Sequence, residues 1–141
     1  FAMPNTDAAS APMTAANSTG TVVGNRWVHL VGAYDNNVSP AKLRLWVCDI
    51  GTPTSPGTGT PVLFSANRAA TGWNAGGAFT IGLGQSSSAP SKWWPGRVDD
   101  VRVFDGQVVD ETKVLQLCSG TAAARMAADP GLLDPTVGEA Q

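Results

Sequence analysis

A chain of 141 residues has room for one domain with a real core, and its 14% charged residues, 16 glycines and 10 prolines favour short strands and turns over long helices. A formal net charge of −2 without a basic cluster lacks the footprint that nucleic acid or an anionic membrane surface requires, so neither is expected as a partner. No apolar run approaches the roughly 20 residues that span a bilayer, and no basic n-region opens the chain, so membrane insertion is not expected and no signal peptide is visible.

Phe1-Ala2-Met3 reads as the tail of a strand that begins upstream and stops at Pro4. From there to Gly20 the chain is Ala, Ser, Thr and Asn without a period, which predicts a long connecting loop or a loose hairpin. Trp27 to Tyr34 is an apolar strand ended by the turn signal Asp35-Asn36-Asn37. In the next strand the period of two divides Leu43, Leu45 and Val47 from Arg44, Trp46 and Cys48, so both faces have apolar content. Gly51 to Pro61 is a Thr, Pro and Gly loop, and Pro61 to Phe64 resumes a short strand.

Trp73 to Gly77 predicts a turn, and Ala78 to Gly84 alternates like a half-buried strand. A Ser-rich loop, Gln85 to Lys92, precedes Trp93-Trp94-Pro95-Gly96, and Arg97 to Phe104 alternates again as a strand. Asp110 is placed to cap a helix, with Val109 and Val114 as a hydrophobic staple, and that short helix is expected to end near Cys118-Ser119-Gly120. Pro130, Pro135 and a polar end make residues 121–141 a tail or linker, with helix able to continue over Ala122 to Ala128.

Cys48 and Cys118 stand too far apart for a metal knuckle or a redox C-x-x-C, leaving one disulfide or two buried thiols. A bridge is the expectation in a secreted sandwich and would add roughly 4 kcal/mol on the chain-entropy model. Asn17-Ser18-Thr19 and Asn37-Val38-Ser39 fit the glycosylation sequon, a pattern that short polar runs often produce.

Several blocks in this order resemble the C-terminal part of a LamG-like jelly roll of the concanavalin A-like lectin/glucanase superfamily. Trp27 to Asp35 is similar to the family's W-x-H-L-x-x-x-Y-D strand, and Leu43-Arg44-Leu45-Trp46-Val47 to its L-x-L-[YW]-V strand, although Cys48-Asp49-Ile50-Gly51 replaces the usual Asn-Gly. Trp73-Asn74-Ala75 with Phe79-Thr80-Ile81-Gly82 resembles the W-x-A and F-x-I-G pair. Gly96 to Phe104 resembles the G-x-[IV]-D-[DE]-V-R-[IV]-[YF] strand, and the capped helix follows. The resemblance covers residues 26–118 and implies an all-β, two-sheet antiparallel sandwich over residues 1–120 with one short C-terminal helix. It also implies that the family's first strands lie upstream of Phe1, so that this chain by itself exposes apolar surface and is marginally stable.

Catalysis is not expected. A retaining glucanase on this architecture needs Glu-x-Asp-x-Glu on one strand face, its carboxyls about 5 to 5.5 Å apart. Here Glu111 belongs to the helix start and Glu139 to the tail, while Asp99 and Asp100 are adjacent and point to opposite strand faces. His29 lies within an apolar strand, and no Gly-x-Ser-x-Gly elbow accompanies it. In relatives calcium often sits where the opening strands meet the late Asp-containing strand, so Asp99 and Asp100 are the candidate metal ligands, set against an ion pair with Arg97 or Arg102.

Trp27, Trp46 and Trp73 match packing positions of the family. Trp93 and Trp94, between a polar loop and Pro95, are the candidate ligand-binding platform. The expected function is a non-catalytic, extracellular or cell-surface binding or adhesion module for a glycan or protein surface. The alternatives are a structural spacer, or an accessory carbohydrate-binding domain of a glycoside hydrolase encoded elsewhere in a longer protein. Low lysine beside abundant alanine and arginine points to a bacterial gene.

Overall fold

A computed structural model describes residues 1–6, 8, 11–20, 23–52, 54–70, 72, 80–82, 84–86, 89–91, 93–104 and 106–128, with backbone only for 84–86, 89–91 and 120–128. The described chain is mostly β: β1 (Ala2–Pro4), β2 (Met13–Ala15), β3 (Trp27–Asp35), β4 (Ala41–Thr52), β5 (Ser55–Pro56), β6 (Pro61–Arg68), β7 (Gly84–Ser86) and β8 (Ala89–Ser91), followed by α1 (Glu111–Ala128). All pairings are antiparallel. β1 pairs β2, β7 pairs β8, and the main sheet has β4 between β3 and β6, with β5 folding back on the end of β4.

The centre is where the period of two in β4 predicts it. On one face Trp46, Cys48 and Ile50 join Val31 and Ala33 of β3 and pack against Val109, Val114, Leu117 and Cys118. On the other, Leu43 and Leu45 pack with Ala16, Met3, Tyr34, Phe64 and Ala66, which brings the β1–β2 hairpin onto the sheet. A strand with one solvated face carries a polar row; β4 has cover on both sides, and both rows carry buried apolar side chains. Gly32, opposite Leu45, presents no side chain there, and the Phe1 ring lies where a Cβ would be, 2.9 Å from the ideal position.

Three polar devices fix the edges of this core. Arg44 pairs with the buried Asp35 at 3.0 Å across the β3–β4 hairpin, and Asp35 Oδ1 also accepts the Asn37 amide at 3.0 Å. Arg26 donates twice to Asp49, at 3.2 and 2.7 Å, and these hydrogen bonds hold the Arg26 guanidinium above its ordinary pKa. Arg68, 1% exposed, donates to the carbonyls of Pro4 (2.8 Å) and Ala70 (2.6 Å) and lies 5.2 Å from the Tyr34 ring centroid. It thereby ties the hairpin to the last residue of β6.

The helix start follows its sequence signals. Asp110 Oδ1 accepts the Lys113 amide at 2.7 Å, and Val109 and Val114 are both buried in the same cluster. Cys48 and Cys118 form a disulfide with Cα atoms 6.1 Å apart, joining the middle of the sheet to the helix. Among the described residues no helix is long and apolar enough to cross a membrane.

The structure differs from the sequence expectations in four places. The helix does not end near Gly120 but continues through Thr121 to Ala128, a stretch of mostly alanine with high helix propensity. Of the two expectations for the stretch after Pro4, the hairpin is the one observed: β1 pairs with β2, held also by Thr14 Oγ1 donating to Asn5 Oδ1 at 2.7 Å. The Ser-rich loop contains the β7–β8 pair. Arg97 to Phe104 is not strand: its residues are irregular, and Asp100 has a φ of 52° in the left-handed region, which breaks the extended path at its middle. The predicted turn at 73–77, and residues 78, 79 and 83 of the predicted strand at 78–84, fall outside the described residues, whereas Thr80 to Gly82 are irregular rather than strand, with Gly82 at a φ of 73°.

Candidate ligand-binding surface

Trp93 and Trp94 both lie at the surface, 68% and 46% exposed. Their order comes from two short-range constraints. The Trp94 amide donates to the Gly82 carbonyl at 2.9 Å, which pins the pair to the segment preceding β7. The indole of Trp94 then folds over Gly96, whose lack of a side chain is required: a Cβ there would lie 2.8 Å from Nε1. Trp27 and Trp46, by contrast, belong to the packed face against α1, and Trp73 lies outside the described residues.

Beyond the pair, Val98, Val101, Val103 and Phe104 are all exposed, Val103 by 70%. The aromatic pair therefore opens a stretch of exposed valines interspersed with charged residues rather than capping a buried strand. The carboxylates in this run do not converge. Asp99 Oδ1 accepts the Asp100 amide at 2.7 Å, whereas both Asp100 oxygens are engaged by Arg102, at 2.9 Å to Nε and 3.1 Å to Nη2. Calcium demands six to eight oxygens. Asp100 offers its two to a guanidinium, and among the described residues no group of three or more His, Cys, Asp or Glu side chains is placed to hold a metal ion. Asp100 is thus in an ion pair, the alternative to metal ligation that the sequence left open.

A second concave feature is absent from the sequence reading. A groove of about 490 Å³ lies between the main sheet and the first turn of α1. Lys42, Arg44 and Trp46 alternate along its β4 wall, Leu63 and Ser65 stand opposite Trp46 and Arg44 on β6, and Asp110 and Glu111 close it. The indole Nε1 of Trp46, 2% exposed overall, is buried without a hydrogen-bond partner. The β4 periodicity puts Arg44 and Trp46 on one face, but the β6 register and the position of α1 are long-range facts that the local pattern does not contain.

His29 is half-buried in β3 opposite Cys48. Glu111 is exposed in the first turn of the helix, away from Asp99 and Asp100 in sequence and facing the groove. No family model, no curated protein and no solved structure matches the chain.

Proposed function

We propose that this chain is a non-catalytic binding module of the LamG-like jelly-roll type, working outside the cell, that recognises carbohydrate through Trp93 and Trp94. The observation that carries the reading is the exposure of two adjacent indoles on a backbone pinned at Gly82 and Gly96. Large aromatic side chains left in water at a fixed position are suited to stack on the apolar face of a sugar ring, with the indole N–H available to its hydroxyls. The Cys48–Cys118 disulfide is consistent with an oxidising compartment. The covering of both sheet faces, with the ordered motifs from Trp27 to Phe104, favours a sandwich, and the same resemblance supplies the family name.

The reading does not invoke calcium; Asp100 is in an ion pair with Arg102. The test is a glycan array probed with the intact chain, followed by titration of the strongest sugar against wild type, Trp93→Ala and Trp94→Ala. Each substitution is expected to weaken binding roughly thirty-fold, the loss typical of an aromatic anchor. Absence of binding to any glycan, or undiminished binding by both variants, would contradict the reading; capture of a protein ligand alone would point to a protein surface instead.

A further inference from the structure

We infer that the groove between β4, β6 and the start of α1 is a second carbohydrate subsite, selective for neutral sugars. The class of ligand rests on the carbohydrate reading above; the place rests on the groove alone.

The charge pattern decides among ligands. Arg44 is already neutralised by Asp35, leaving Lys42 facing the carboxylates of Asp110 and Glu111. One ammonium against two carboxylates leaves this lining at a net −1, which disfavours an anionic ligand. A polyol meets both kinds of side chain with the right chemistry. Its hydroxyls can accept from Lys42 and Arg44 and donate to the carboxylates of Asp110 and Glu111, while Ser65 serves either way.

Leu63, 40% exposed on β6 beside Trp46, supplies an apolar patch for the C–H face of a ring. The volume of about 490 Å³ falls in the range of small-molecule sites. The groove is walled by the disulfide-linked sheet and helix, so it is pre-formed.

The experiment is a ¹⁵N NMR titration of the intact chain, with assigned indole signals, using neutral trisaccharides of glucose, xylose, mannose and N-acetylglucosamine and trigalacturonate as the anionic comparison. At least one neutral sugar is expected to move the Trp46 indole signal, and Lys42→Ala and Glu111→Ala each to weaken that response about ten-fold, since each loses a charged hydrogen bond. Both positions lie at the groove rim, outside the apolar core, which keeps the variants folded. Shifts at Trp93 and Trp94 with Trp46 unmoved, and no effect of either variant, would overturn the subsite while leaving the proposed function standing. Tighter binding of trigalacturonate than of every neutral sugar would overturn the neutral selectivity, and no response to any sugar would overturn both the subsite and the reading it rests on.

Discussion

Two stretches of this chain carry nearly the same alternating pattern, and only one of them is a core strand. Leu43 to Cys48 has a strand on each side and cover on both faces; Arg97 to Phe104 has Val, Asp and Arg in a similar rhythm, yet it is irregular and its valines face water. The difference shows what alternation supplies. It makes a backbone ready for a sheet, but pairing and burial must come from elsewhere. Where they do not, local contacts remain: Asp100, in the left-handed region, pairs with Arg102 two residues on.

The sharpest way to break the comparison is to unstitch the covered strand. Replacing both Cys48 and Cys118 with serine removes a bridge across 70 residues and should cost about 4 kcal/mol on the chain-entropy model, seen as a fall in the urea midpoint. Leu43→Ala, at a fully buried position, should cost about 3 kcal/mol in the same measurement; a loss near zero would mean that the hairpin-covered face is not a packed core. Asp110→Ala removes the helix cap and should cost about 1 kcal/mol, read by thermal melting followed at 222 nm. Val103→Ser, in the uncovered stretch, should change stability by no more than about 0.5 kcal/mol. A large destabilisation there would place Val103 in a core and erase the contrast.

Much of the covered region was legible from local sequence. The two-faced alternation of β4 and the cap at Asp110 with its staple depend on neighbours within a few residues, and the structure contains both; the bridge between Cys48 and Cys118, which spacing left open and composition with a secreted reading favoured, is also present. The candidate surface was legible in part: Trp93 and Trp94 could be singled out because a polar loop and a proline flank them, and both are exposed. Asp99 and Asp100 illustrate the limit. Their spacing to Arg97 and Arg102 left metal ligation and ion pairing both open, and only the backbone path at Asp100 selects Arg102. The groove was illegible for the same reason, as Lys42, Leu63 and Glu111 meet through strand register and helix docking. Arg68 gave no sign of burial either, because its partners at Pro4 and Tyr34 lie far away in sequence.

That Trp93 to Phe104 forms a presented surface outside the cooperative core is tested most directly by native-state amide hydrogen exchange of the intact chain. The amides of Leu45 to Cys48 should exchange only through global opening, whereas those of Val101 to Phe104 should exchange through local fluctuations at far lower free energy. Protection of Val101 to Phe104 equal to that of β4 would contradict this, and would show that the stretch is a paired strand of the core after all.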